Sequence, residues 1–314
     1  MNRFFAELRR RVGERAFLSA AAGVLATPPC VPRDDGLVIF SMIGTRVLTP
    51  YLVAAKSLHA QLQRGRFAIL DDGTLTREDK AILRNHLGDP QIFGPDVDTK
   101  ACPTYSSWKR LFTLLELRKT NYVIQLDSDT ITRAPVRLLG ELIDAGRDFI
   151  LKGEAETRFM SLEEIAAQAQ ANPNSRRPPV HVQLAMEARM DEVRIPDRAN
   201  LRYSRGCAGF AGFAPDPSGT ELAEQFSAEA VRLIGYDHWK QWGSEQVTSN
   251  FLIAQRPDAA LLPYDRYCNF WDEPVSPEMA FVHFIGTYRY HGGVYRDMAR
   301  EAIESLRLRE AIAA

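Results

Sequence analysis

Two aspartates with one residue between them, Asp127-Ser128-Asp129, end the run Tyr122-Val123-Ile124-Gln125-Leu126. The run is apolar nearly throughout, the composition of a parallel strand covered on both faces. Ligands of parallel α/β sheets bind in the crevice beyond the carboxyl ends of the strands, so Asp127 and Asp129 are expected at its lip. Two carboxylates this close repel unless a cation lies between them or one takes a proton. Oxygen donors suit Mg²⁺ or Mn²⁺, ions that usually share their shell with a substrate diphosphate. Asp-x-Asp is equally common as a strand-end turn with two solvated acids, so the pair alone does not establish a metal site.

A third candidate ligand stands near the C-terminus, in Phe281-Val282-His283-Phe284-Ile285-Gly286-Thr287-Tyr288-Arg289-Tyr290. A lone histidine inside an apolar strand is more often a hydrogen-bonded core residue than a ligand. Gly286 and Arg289 shift that balance, because glycine lets backbone amides approach a phosphate and arginine grips phosphate oxygens bidentately. The nucleotide loops of dehydrogenases and P-loop enzymes are missing: Ser41-Met42-Ile43-Gly44-Thr45-Arg46 follows the first strand instead,. A nucleotide must therefore be held in another way, and a metal on the fourth strand would supply it.

The elements that must position these residues alternate. Leu37–Met42, Phe67–Leu70, Gln91–Phe93 and Tyr122–Leu126 read as strands, separated by helical stripes such as Leu52, Ala55, Leu58 and Leu62. Thr49-Pro50 is expected to cap the first of these helices, and Thr76 with Asp79 to form a capping box for the next. Such alternation predicts a largely parallel sheet. Asp148–Lys152 continues it, residues 161–200 break the rhythm, and Gly206–Ala214 sets small residues between aromatics, which predicts close backbone approach. Helices are expected near Gly219–Ile234, from Ser244 and over 294–312, with a strand at Ala280–Ile285. The expected division is a basic helix and linker over 1–35, one large domain over 36–293 with a lid-like insertion at about 155–205, and a C-terminal helix over 294–314.

Net charge is −1 and the pI about 6.6, which excludes a general nucleic-acid binder,. The four cysteines are widely scattered with no Cys-x-x-Cys pair, a pattern that gives neither a zinc site nor a disulfide framework and suits a reducing compartment,. Residues 1–15 are rich in arginine and carry Phe4, Phe5 and Leu8, but Glu7 and Glu14 sit badly in a signal peptide,. No stretch approaches 18 apolar residues, so no spanning helix is expected. A cytoplasmic protein is expected. Residues 1–22 are a candidate for peripheral contact with the inner face of the membrane, in competition with docking on their own domain.

Taken in order, several segments resemble the metal-dependent GT-A glycosyltransferases, above all the group of glycogenin and the bacterial lipopolysaccharide galactosyltransferases. Tyr51–Leu58 looks like that family's first helix and Ile69-Leu70-Asp71-Asp72-Gly73 like its second strand. Val123–Asp129 is similar to its metal-binding strand, and Arg110 stands where the family has a basic donor-binding residue. Cys207-Ala208-Gly209-Phe210 resembles its Asn-Ala-Gly-aliphatic segment, Glu245-Gln246 with Asn250 its Asp-Gln-x-x-x-Asn helix start, and His283-Phe284-x-Gly286-x-x-Arg289 its His-Phe-x-Gly-x-x-Lys segment. The match spans roughly residues 37–290 apart from much of 155–200. Ser41–Arg46 lacks the family's acidic and Asn residues for the nucleoside, which leaves the base open with UDP as the default.

The resemblance implies a Rossmann-like GT-A fold and transfer of a sugar from a nucleotide-sugar to a glycan, lipid-linked or small-molecule acceptor, with retention at the anomeric carbon. Asp127, Asp129 and His283 would hold Mn²⁺ or Mg²⁺. Ser41, Arg110, Ser128, Gly286 and Arg289 are the candidate donor-binding residues. Gln246 would face the reactive carbon, and Glu245 is the candidate carboxylate for the acceptor hydroxyl; front-face attack and double displacement both stay open. Two readings from other classes compete. Leu126–Ile131 approaches the Asp-x-Asp signature of haloacid-dehalogenase-like phosphatases, with Asp127 as nucleophile, but those enzymes carry it on their first strand. The other is a non-catalytic carbohydrate- or nucleotide-binding relative.

Overall fold

The computed structural model describes residues 3–196 and 198–313. Residues 1 and 2 of the basic segment, residue 197 of the expected insertion and residue 314 lie outside the described residues.

The chain opens with α1 (Arg3–Ala21), β1 (Leu37–Ile43), α2 (Leu48–Leu62), β2 (Arg66–Asp71), α3 (Arg77–Leu87) and β3 (Gln91–Phe93). It continues through α4 (Ser106–Leu117), β4 (Tyr122–Leu126), β5 (Thr130–Thr132), α5 (Arg137–Asp144), β6 (Phe149–Lys152), β7 (Met160–Ser161), α6 (Leu162–Ala171) and α7 (Val182–Glu187). The last part is β8 (Arg202–Tyr203), β9 (Gly206–Phe213), α8 (Glu221–Ile234), α9 (Tyr236–Trp239), α10 (Ser244–Ala254), β10 (Ala260–Leu261), β11 (Tyr267–Asn269), β12 (Phe281–His283) and α11 (Val294–Ala313). The class is α/β with a mostly parallel sheet flanked by helices.

Two compact units make up the chain. The first comprises residues through Pro95, Ile124–Asp144 and Pro263 onward. Its larger sheet runs β4-β1-β2-β3, with β1, β2 and β3 mutually parallel. β1 is apolar and almost wholly buried, as a central parallel strand must be,. α2 is buried along nearly its whole length. The capping box of α3 forms as expected: Thr76 Oγ1 accepts from the Asp79 amide and the Asp79 carboxylate from the Thr76 amide. The expected Thr49 cap is corrected. A short 3-10 turn over Thr45–Val47 runs straight into the helix at Leu48, which puts Thr49 inside it with Val47 at the cap.

A smaller sheet in this unit, β11-β12-β5, pairs β11 with β12 in parallel and β12 with β5 antiparallel. α1 lies along α11, where Phe17 stacks on Tyr295 with ring centroids 3.7 Å apart. Gly13 permits the fit, since a Cβ there would come within 2.9 Å of the Tyr290 Cβ and carbonyl oxygen.

The second unit comprises Asp96–Val123 and Ala145–Leu262. In it β6 pairs β10 in parallel and β9 antiparallel. Gly212 of β9 lies where a Cβ would fall 2.2 Å from the Phe149 ring, the close approach expected of this glycine-rich strand. The irregular segment holds α6 and α7 around Asn172–Pro179, and the antiparallel pair of β7 with β8 closes its ends together.

Candidate active site

β4 delivers Asp127 to its carboxyl end, the chain turns at Ser128, and β5 begins at Thr130. The turn is pinned by Thr130 Oγ1 donating to the Asp127 carbonyl at 3.0 Å. β12 runs antiparallel to β5 with His283 opposite Thr130, and the Phe284 amide continues the ladder to the Asp129 carbonyl at 2.8 Å. Two stretches far apart in sequence are thus brought together by backbone pairing, which sets the imidazole beside the acids. His283 Nε2 lies 3.1 Å from Asp129 Oδ1 and 4.0 Å from Asp127 Oδ2. One donor atom from each of the three residues falls within 4.8 Å of the others.

β11 adds Asn269, opposite His283 in register, and its Oδ1 lies 3.1 Å from His283 Nδ1. An amide oxygen only accepts, so Nδ1 carries the proton and Nε2 is turned toward the carboxylates. This is the outer partner that metal-ligating histidines commonly have. Nε2 lies 3.1 Å from Asp129 Oδ1, a spacing that a proton on the ring or a bound cation would each satisfy. Two carboxylates and one imidazole make a donor set that fits Mn²⁺ or Mg²⁺.

Asp129 and His283 are buried while Asp127 is half-buried. Burial alone would push the Asp129 carboxyl up, but His283 and Arg289 prevail and hold it below the usual carboxylate range. Arg289 NH2 donates to Asp129 Oδ2 and its Nε to the Phe284 carbonyl at 2.9 Å. Its guanidinium therefore already supplies a fixed positive charge at this acid. A cavity of about 340 Å³ opens here, lined among others by Arg10, Arg46, Ser128, Asp129, Gly286 and Tyr290. Gly286 has φ +49°, a left-handed conformation that favours glycine,.

Ser41, a candidate for the donor, lies within β1. It is fully buried in β1, and its hydroxyl donates to the Leu126 carbonyl at 2.6 Å. That bond ties β1 to the strand bearing Asp127.

The remaining candidates lie in the second unit. Trp108 Nε1 donates to Ser244 Oγ at 2.9 Å, and Tyr105 OH accepts from the Glu245 amide at 3.2 Å, so α4 fixes the start of α10. Arg110 and Glu245 are both buried and joined at 2.9 Å. The candidate for the donor side, Arg110, and the candidate for the acceptor hydroxyl, Glu245, are thus ion-paired with each other.

Gln246 differs from its neighbours. Every other residue of α10 is buried, whereas Gln246 is half-exposed. Its Oε1 accepts from the Ala208 amide and its Nε2 donates to Gln183 Oε1, both at 3.3 Å. Gln183 Nε2 donates in turn to Glu187 Oε1 at 2.9 Å, and the fully buried Glu187 is paired with Arg205. Asn250 Nδ2 donates to the Gly206 carbonyl at 3.0 Å, fixing β9 to the same helix. Asn269, Gln183, Glu187, Arg205 and Arg46 were not singled out by sequence reasoning.

No protein-family model matches the sequence, and no curated protein matches it by sequence. Solved structures do. A galactosyltransferase, LgtC, in complex with donor and acceptor sugar analogues superposes with a TM-score of 0.51 at 14% identity, over 83% of this chain and 95% of that one. The glycosyltransferase GlyE of Streptococcus pneumoniae TIGR4 superposes with a TM-score of 0.50 at 12% identity, over 87% of this chain but only 63% of its own. The apo form of GlyE gives 0.50 at 14% identity, over 90% and 64%. The chain has the fold of these glycosyltransferases.

Proposed function

We propose that the protein is a metal-dependent glycosyltransferase that moves a sugar from a nucleotide-sugar, UDP-linked by default, to a hydroxyl acceptor with retention at the anomeric carbon. The observation that carries this reading is the convergence of Asp127, Asp129 and His283, with Asn269 orienting the imidazole and Arg289 on the far carboxylate oxygen. Those three side chains would hold Mn²⁺ or Mg²⁺, which when bound supplies positive charge to a diphosphate leaving group.

Arg289 is placed to add a charge-assisted grip on the same diphosphate, and the backbone around Gly286 to let phosphate oxygens approach. Ser128 and Arg46 line the cavity beside them. Arg110 acts as a positioning residue: paired with Glu245, it locks the first turn of α10, from which Gln246 projects. Gln246 presents its amide to the sugar, held in one orientation by Ala208 and Gln183. Such fixed dipoles stabilise developing charge without reorganising at the moment of reaction.

The test is a panel of UDP- and GDP-sugars incubated with the protein and Mn²⁺, read as release of nucleotide diphosphate. The expected result is slow hydrolysis of one donor that EDTA abolishes. Absence of turnover and of any thermal stabilisation across the whole panel overturns the donor assignment.

A further inference from the structure

α1 carries apolar side chains on two opposite faces. Phe17 and Ala21 are buried on the side of α11. Phe5, Leu8 and Val12 follow helical spacing on the other side and are 55%, 48% and 59% exposed,. From Phe5 to Val12, every residue with a described side chain except Glu7 is exposed.

Arginines flank the outward stripe. Arg11 is tied to Glu7 at 2.8 Å, whereas Arg9 and Arg15 are exposed and form no ion pair among the described residues. With a net charge of −1 overall, this cationic patch is local.

We infer that this face of α1 docks on an anionic lipid surface, with Phe5, Leu8 and Val12 in the headgroup–acyl boundary and Arg9 and Arg15 on the lipid phosphates. An apolar stripe bordered by unpaired arginines matches that surface in both chemistry and charge. A second copy of the chain fits worse, since a two-fold contact through the stripe would set arginine against arginine. The opposite side of the same helix supplies Arg10 and Phe17 to the cavity at Asp129, so docking would orient that cavity's wall toward the surface. The inference stands on α1 alone, independent of the proposed reaction.

The test is cosedimentation of the full chain with vesicles of phosphatidylcholine, with or without phosphatidylglycerol. Binding is expected only to the anionic vesicles and to weaken with salt. Leu8→Ser with Val12→Ser should lower the partition constant at least tenfold, and Arg9→Ala and Arg15→Ala by about fivefold each. All four positions are exposed, so an unchanged melting temperature is expected to accompany each loss. Absence of binding to anionic vesicles at low salt overturns the inference, as does binding that neither pair of substitutions changes. A concentration-dependent dimer that the Leu8/Val12 pair abolishes, without vesicle binding, overturns it in favour of self-association.

Discussion

Asp129 is the residue on which most charge converges, and its partners come from opposite directions. His283 meets one carboxylate oxygen and Arg289 the other, and together they favour the ionised form of a buried acid that burial alone would neutralise. Arg110 and Glu245 form a second buried pair with a different consequence. Removing one member of a buried pair strands the other, at a cost of about 3–5 kcal/mol. Arg110→Met should therefore lower stability by an amount in that range, and the Arg110→Met/Glu245→Leu double variant by clearly less, as read from denaturant midpoints. A residue that merely contacted the donor would leave stability unchanged. His59 supplies a pH prediction. Burial, with help from Arg33, holds its imidazole down to about 4 from 6.5, and its Nε2 has no partner. Between pH 6.5 and 4 the unfolded chain binds this proton and the folded one does not, so stability falls as pH drops through that window, by up to ~3 kcal/mol for this group. His59→Leu should flatten that part of the stability–pH curve relative to the parent.

At the scale of elements, short pieces of backbone do the positioning. β5 and β12 are three residues each, yet their antiparallel register sets His283 beside Asp129, and β11 adds Asn269. α7 is one and a half turns of helix, and through Gln183 it orients the one half-exposed side chain of α10. Gln183→Leu should leave donor KM near its parental value and lower kcat ten- to a hundredfold, since misplacing a positioned group by about 1 Å can have an effect of that size. A fall in KM affinity alone would place Gln183 in donor binding instead.

The limits of the sequence are visible in the same elements. Asp127 and Asp129 could be read because a buried strand ending in two acids is a local pattern, and His283 because a polar residue interrupts an apolar strand. Asn269 could not, since its role exists only once β11 pairs with β12. The partner of Glu245 could not be read for a related reason: an acid in a first helical turn has a local explanation, whereas the arginine paired with it lies on α4. The alternation of strands and helices was legible throughout residues 37–126, where parallel strands are continuous apolar runs. It was least legible over 155–205, where short elements carry little periodicity.

For the whole molecule, the fold of solved glycosyltransferases is present at 12–14% identity, so few side chains beyond the buried pattern need be shared to keep it,. Function must then be argued from the site. Among the described residues no helix is long and apolar enough to cross a membrane. The central claim is that Asp127, Asp129 and His283 together bind a divalent ion that anchors a nucleotide diphosphate. Isothermal titration of UDP in the presence and absence of Mn²⁺ measures it most directly, on the parent and on the folded Asp129→Asn and His283→Ala variants. The account predicts Mn²⁺-dependent binding that falls at least tenfold in each variant. Equal binding with and without metal, or variants that bind as the parent does, would contradict it.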